Sequence, residues 1–274
     1  MIKDILTLMT PPFFEPEATP FSISGEVLSI PLGSGNEYML SEMGELIRIS
    51  ACFGQYNLAR LFPEVRGKYL LGDKIRTIRY GMMEDASNLT MHIRSHIASE
   101  RAGSALAEIV DENDQLLYSF NHTFYILPAP FFETRFASFK KTANASAIAL
   151  DSLPGIKVFD SEHNRTFTME VTPFSYEHCL GHFPDYPLVA VAYLYKCILK
   201  GNIEWLNKHQ MEILRVENID ITVSKAIPID ISCSVKVSII QSSKNTYQFI
   251  NEIFIKDDSH IPHCLLTIEL LATS

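Results

Sequence analysis

One short segment of the sequence combines a histidine, a turn and the start of an apolar run. The letters GHFP, residues 181–184, are followed by DYP and then by apolar residues from Leu188 onward. Imidazole is the side chain best suited to exchange a proton near neutral pH. Backbone N–H groups at a helix N-terminus lack intrahelical acceptors and can stabilise developing negative charge. The segment therefore suggests imidazole-dependent chemistry beside a helix start.

A metal-binding alternative involves His178, four residues before His182. A His-x-x-x-His pair can bind a metal when the segment is helical. Gly181 and Pro184 would break a helix here, and no third ligand is evident. The glycines of GSGNEY are not followed by the lysine of a phosphate-binding loop. We therefore expect neither a metal nor a cofactor.

The composition is that of an ordinary globular protein. A length of 274 residues with 47% hydrophobic residues favours two domains with real cores. The net charge of -9 argues against binding to nucleic acid or to anionic membranes. Five irregularly spaced cysteines in apolar segments are typical of reduced core thiols, which predicts a cytoplasmic protein. No uncharged apolar run approaches the roughly 20 residues of a membrane span, and we expect no secretory signal or transit peptide.

The two halves of the chain repeat one plan. In each half an apolar segment with helical spacing, residues 42–62 and 187–206, precedes a series of alternating, strand-like segments. A constant offset of 145 residues relates two pairs of acidic residues, Asp85 with Asp230 and Glu112 with Asp257.

This repeated plan predicts the fold class. A helix that is apolar almost all round must be covered on most sides, and a curved antiparallel sheet can cover it. We therefore expect an α+β protein of two units, each with one central helix wrapped by a curved antiparallel β-sheet. The boundary is placed near Asn144, giving units of residues 1–143 and 144–274.

The segment VTPFSYEHCLGHFPDYPLV resembles the loop and helix start of the β-hydroxyacyl-ACP dehydratases of fatty-acid synthesis, whose motif runs H-F-P-G-x-P-x-x-P-G-V-L-x-x-E. Downstream, VENIDITVSKAIPID is similar to the strand that leads to that family's P-x-x-P-G-D turn. The resemblance covers residues 164–271, and in the first half it rests on the element order and the offset. It implies a double hot-dog fold, a pseudo-dimer within one chain whose first unit is degenerate. A further homodimer stays open.

The resemblance also implies a set of site residues. His182 matches the family's catalytic histidine, whereas the family's acid, fourteen residues later, falls on Lys196. A substitute donor is expected from the first-half helix, and the first-half position that matches His182 is Glu37. The residues expected to contact substrate are Ser50, Cys52, Gln55, Phe183, Pro184, Tyr186, Ala190 and Val191.

Three functions follow from the resemblance as hypotheses. The first is a dehydratase-like lyase that acts on 3-hydroxyacyl thioesters of acyl-carrier protein (ACP) or CoA in fatty-acid or polyketide-type biosynthesis, with His182 as the base. The second is a thioesterase or another His-assisted acyl-thioester enzyme. The third is a noncatalytic protein that binds acyl chains or is the structural partner of synthase subunits.

Overall fold

The computed structural model forms two compact units. The first comprises Met1–Ala147 and Leu180–Pro187, and the second comprises Ile148–Cys179 and Leu188–Ser274. The expected boundary at Asn144 lies outside the described residues. These are residues 9–34, 42–83, 86–141, 152–160, 165–183, 185–255 and 260–273.

The loop with the GHFP letters was expected in the second unit, but its contacts assign it to the first. The chain leaves the second unit after Cys179, contributes Leu180–Pro187 to the first unit, and rejoins the second at Leu188. We call Leu180–Pro187 the histidine loop. Strand and helix periodicity carry no information about such a loop, so the sequence could not predict where it packs.

The first unit contains six strands and two α-helices within its described residues. Its sheet is antiparallel throughout, in the order β1-β2-β4-β5-β6-β3. The elements are β1 (Ser22–Ser24), β2 (Val27–Gly33), α1 (Met43–Leu61), β3 (Tyr69–Arg79), β4 (Leu89–Ser99), β5 (Ala102–Val110), β6 (Leu116–Leu127) and α2 (Ala129–Arg135).

The second unit repeats this arrangement with six strands and one α-helix among its described residues. Its antiparallel order is β7-β8-β10-β11-β12-β9. The elements are β7 (Ile156–Asp160), β8 (Thr166–Val171), α3 (Val191–Lys208), β9 (Glu212–Val223), β10 (Cys233–Gln241), β11 (Thr246–Ile255) and β12 (Cys264–Thr273).

The two units therefore share one topology, and the predicted fold of one long helix on an antiparallel sheet in each half is confirmed. Two strands, one helix and four further strands follow one another in both units, and equivalent strands have equivalent neighbours. β5 and β11 end at Val110 and Ile255, which lie 145 residues apart. Asp85 and Asp257, two residues of the original offset argument, lie outside the described residues.

Short-range chemistry explains the turn between β5 and β6. The carboxylate of Asp111 accepts hydrogen bonds from the backbone N–H groups of Asn113 and Gln115, at 2.9 and 2.8 Å. These bonds favour the ionised carboxylate and lower the pKa of Asp111. Asp114 adopts a positive φ of 61°, which aspartate tolerates in turns. The DEND letters thus form the turn that they predict.

Close backbone approach fixes α1 on its sheet. α1 packs on β4, β5 and β6, and Gly54 lies at the tightest point. A Cβ atom built on Gly54 would be 2.6 Å from the Cβ of Ala105 in β5. From α1, the side-chain amide of Asn57 donates to the carbonyl oxygen of Glu26 at 3.0 Å. None of the helices in the described ranges is long and apolar enough to cross a bilayer.

The contact between Gly54 and Ala105 predicts a stability change. Gly54→Ala adds a methyl group against a rigid neighbour, so overpacking should cost about 1–3 kcal/mol and exceed the roughly 1 kcal/mol gained in helix propensity. Urea denaturation should show a lower midpoint, and adding Ala105→Gly should restore part of the loss. Gly72→Ala is the control, because no atom lies within 4 Å of its Cβ position, and its stability should change by about 0.5 kcal/mol or less. A Gly54→Ala protein as stable as the wild type would show that this contact is looser than described.

Candidate active site

The histidine loop has a constrained backbone. Gly181 has a φ of +85° and Phe183 a φ of 53°, so the residues on both sides of His182 are in the left-handed region. Glycine adopts this region freely, whereas phenylalanine does so at an energetic cost. Such strain persists where surrounding contacts enforce it, and it is common at functional sites.

The N-terminal segment holds this loop in place. We call residues 9–14 the N-terminal strap. Met9 forms an isolated antiparallel bridge with His182, and the N–H of Thr10 donates to the carbonyl oxygen of Gly181 at 2.9 Å. A Cβ atom on Gly181 would lie 2.2 Å from the carbonyl oxygen of Thr10. Only glycine permits this approach, so the glycine of GHFP is required by the strap.

The imidazole of His182 lies between two phenylalanine rings. The ring centroid of Phe13, from the strap, is 4.7 Å away, and that of Phe183 is 4.5 Å away. Both phenylalanines are buried, whereas His182 is half-buried. The ring is thus restricted on two sides and still reaches the surface of the unit.

Two predicted substrate contacts, Phe183 and Tyr186, anchor the loop in the first unit. The Phe183 ring is 5.6 Å from that of Tyr69, and the Tyr186 ring is 5.4 Å from that of Phe132, centroid to centroid. Tyr69 and Phe132 stack on each other at 3.6 Å. These buried contacts give both residues a packing role, and their contact with substrate stays a prediction. Pro184 lies outside the described residues.

The three candidates on α1 do not share one face. Cys52 faces the strap, because its Sγ lies 3.9 Å from the Sδ of Met9. Ser50 faces the sheet, where its Oγ lies 2.8 Å from Nε2 of His122 in β6. The Ser50 hydroxyl is thus engaged with the sheet, and a contact of Ser50 with substrate stays a prediction. A one-residue change rotates a helix position by about 100°, which a sequence alignment cannot resolve.

Gln55 remains a candidate hydrogen-bonding group. It lies three residues after Cys52, so the two side chains share one side of α1. Its side chain is 6% exposed, and among the described residues its Oε1 has no hydrogen-bond partner. A buried amide oxygen without a partner costs free energy, and a bound donor would remove that cost.

Ala190 and Val191 start α3 in the second unit, as expected. The N–H of Ala190, however, hydrogen-bonds the Sγ of Cys179. The Ala190 carbonyl accepts from the N–H groups of Tyr193 and Leu194, at 3.0 and 3.1 Å. The Ala190 amide is therefore already used, while a substrate-binding role for Val191 stays a prediction.

The remaining polar candidates are accounted for locally. His178 accepts a hydrogen bond at Nδ1 from the N–H of Ser175 at 3.0 Å, and the Ser175 Oγ is 2.9 Å from the same atom. Within the described ranges no three His, Cys, Asp or Glu side chains are grouped to hold a metal. Lys196 is half-buried on α3, and Glu37 lies outside the described residues.

Sequence reasoning missed the strap. Met9 and Phe13 contact the histidine loop directly, yet the segment MTPPFF precedes the first strand and has no periodicity. Its one available signal was a pair of adjacent aromatic residues after two prolines.

Comparison with solved structures identifies the fold. An acyl-CoA thioesterase II, TesB2, from Mycobacterium marinum aligns with a TM-score of 0.53 at 8% identity, over 100% of this chain and 98% of that one. A 12:0-ACP thioesterase from Umbellularia californica aligns with a TM-score of 0.56 at 7% identity, over 92% and 99%. A protein of unknown function with a hot dog fold from Alicyclobacillus acidocaldarius aligns with a TM-score of 0.51 at 10% identity, over 97% and 99%.

The class of this protein is therefore defined by its fold: it is a double hot-dog protein, with two hot-dog units in one chain. No protein-family model and no curated protein sequence matches the chain. At these identities the likeness extends to the fold alone.

The cysteines should be unreactive in the folded protein. All five are buried, and burial raises the pKa of each thiol to about 11 or 12. Because the thiolate is the reactive form, 5,5′-dithiobis(2-nitrobenzoic acid) at about pH 8 should label less than one thiol per native chain within minutes. All five should react in guanidinium chloride. Rapid native labelling that Cys52→Ser abolishes would instead make Cys52 a candidate nucleophile.

The buried histidine of the first unit predicts a pH dependence of stability. Burial lowers the pKa of His122 to about 3, below the usual value of about 6.5. The unfolded chain therefore binds this proton more readily than the folded one, and His122 should reduce stability as the pH falls below about 6.5, by up to about 1.4 kcal/mol per pH unit. Urea denaturation between about pH 7 and 5 should show a shallower decline for His122→Gln than for the wild type. Parallel curves would show that folding leaves the pKa of His122 unchanged.

Proposed function

We propose that this protein hydrolyses an acyl thioester carried on CoA or ACP, with His182 as the general base. The observation that carries the proposal is the construction of the histidine loop. A half-buried imidazole is held between two rings, on a backbone with two successive departures into the left-handed region on either side of it. The strap enforces this conformation, and strain that is held in place beside a half-buried imidazole is the pattern expected of a preorganised proton acceptor.

The likeness to acyl-CoA and acyl-ACP thioesterases supports the substrate class. Fold alone does not define function, so the argument depends on the loop. In the proposed reaction, His182 accepts a proton from water while the water oxygen attacks the thioester carbonyl carbon. The resulting tetrahedral oxyanion collapses and the C–S bond breaks. The His182 imidazolium returns its proton to the departing thiolate, which leaves as a thiol, and the carboxylic acid loses its own proton to solvent. The products are a carboxylate and free CoA or ACP.

The second candidate is dehydration of a 3-hydroxyacyl thioester. The observation that favours it is the resemblance of residues 181–184 to the dehydratase motif. That reaction needs a donor for the departing hydroxyl in addition to the base. Lys196 stands where the family has its acid, and a lysine side chain does not supply the carboxyl group that the family uses. Gln55 can donate a hydrogen bond but not a proton. Hydrolysis needs no second acid of this kind, so it is the leading proposal.

The test follows substrates and products by mass. Saturated, 3-hydroxy and enoyl thioesters of CoA and ACP are each incubated with the protein, and the acids, enoyl thioesters and unchanged substrates are measured. Hydrolysis predicts free acid from the saturated thioester, whereas dehydration predicts enoyl thioester from the 3-hydroxy substrate. Retention of an acyl thioester without turnover would instead support a noncatalytic acyl-binding protein.

Substitution of His182 should remove the activity. His182→Ala should lower kcat/KM by about 100-fold or more, because general base catalysis contributes about 10²–10⁴. His178→Ala is the matched control, since His178 lies four residues earlier and accepts from the N–H of Ser175. Its kcat/KM should change by less than about 3-fold. Equal activity of His182→Ala and wild type would remove His182 from the mechanism.

A further inference from the structure

Arg48, a residue of α1, holds the N-terminal strap in place. The guanidinium of Arg48 donates through Nη1 to the carbonyl oxygen of Phe13 and lies over the Phe13 ring, 5.7 Å from its centroid. Arg48 is itself held by Glu45, whose carboxylate accepts from Nε at 2.9 and 3.1 Å and also from Nη2. We call Glu45, Arg48 and Phe13 the latch.

The latch contacts the imidazole of His182 through the ring of Phe13. Phe13 has its backbone carbonyl and its ring bound to Arg48, and its ring contacts His182. The next strap residue, Phe14, packs edge-on against Phe53 of α1 at 5.1 Å, so the strap is held on both sides of Phe13. A displacement of Arg48 is therefore transmitted to the ring that restricts His182.

Stability alone gives a weak reason for this arrangement. The side chains of Arg48 and Glu45 are 19% and 28% exposed to solvent. An ion pair this accessible to solvent contributes little to the free energy of folding. A cavity of about 310 Å³ borders the latch, lined by the strap and by Arg48, Ile49 and Phe53 among others. Arg48 makes several directed hydrogen bonds at the edge of this cavity. Their orientation of Phe13 explains this arrangement better than a contribution to stability does.

We propose that Phe13 is a positioning residue for His182, and that Arg48 and Glu45 hold Phe13 in register. The proposal rests on the proposed function of His182 as a base. The strap is then a part of the active site that is supplied by the segment before β1. Displacing a catalytic group by about 1 Å can cost on the order of 100-fold in rate, so loss of the latch should act on kcat rather than on binding.

Arginine offers a selective test. Arg48→Lys keeps the charge but removes the planar fork that binds the carboxylate and the Phe13 carbonyl together. We expect kcat for thioester hydrolysis to fall by about 10-fold or more, with KM changed by less than about 3-fold. Phe13→Leu should lower kcat by a similar factor. Phe13→Tyr keeps the aromatic ring and should retain most of the wild-type kcat.

Arg60→Lys is the matched control. Arg60 lies on the same helix and also donates to a side chain, Asn57, and to a backbone carbonyl, that of Gly25, each at 3.0 Å. Its replacement should leave kcat and KM unchanged. Melting temperatures of the Arg48 and Arg60 variants should agree within about 3 °C, which separates positioning from loss of structure.

A spectroscopic measurement keeps this test independent of the reaction. The ring protons of His182, assigned by comparison with His182→Ala, should show proton–proton contacts to the Phe13 ring in the NMR spectrum, and Arg48→Lys should weaken them. If no thioester is hydrolysed but these contacts respond to Arg48→Lys, the proposed function fails while the latch stands. If both kcat and the His182 resonances are unaffected by Arg48→Lys, the latch is overturned.

Discussion

Each unit depends on burying one helix against a sheet that approaches it too closely for an ordinary side chain. α1 meets β5 at Gly54 and Ala105, and in the second unit a Cβ on Gly201 of α3 would overlap the side chain of Met169. Interiors packed this densely have few alternative arrangements. Among the described residues, some buried polar groups on the helices have a partner on the sheet, as Ser50 has His122, whereas Gln55 Oε1 on α1 has none.

The histidine loop obeys a different constraint. Its residues lie between two segments of the second unit along the chain but pack with the first unit, and its backbone is bound by the strap instead of by a strand of a sheet. Gly181 and Thr10 approach so closely that the loop conformation and the strap conformation determine each other. A backbone hydrogen bond to Gly181 and ring contacts from Phe13 and Phe183 together restrict the imidazole of His182.

The sequence predicts the elements well because periodicity is a local property. The apolar pattern of residues 42–62 becomes α1, and the alternation in FNHTF places Phe120, His122 and Phe124 on the buried face of β6. The alternation in β6 indicates that the His122 side chain points inward. It does not indicate that Ser50 contacts His122, because that contact depends on how α1 is rotated about its axis. The strap escaped prediction for the same reason: its partners lie far along the chain, and no local pattern encodes them. The engaged amide of Ala190 shows that a motif can match while one of its donors is already used.

The order of synthesis gives the strap a further consequence. Its residues are translated before their partner, the loop at Gly181 and His182, which follows about 170 residues later. At synthesis rates of about 5–20 residues per second this separation is roughly 10–30 seconds. During that interval Met9 and Phe13, which are buried in the finished unit, have no loop to cover them. The nascent first unit is therefore incomplete until translation has passed Cys179 and the histidine loop has been added.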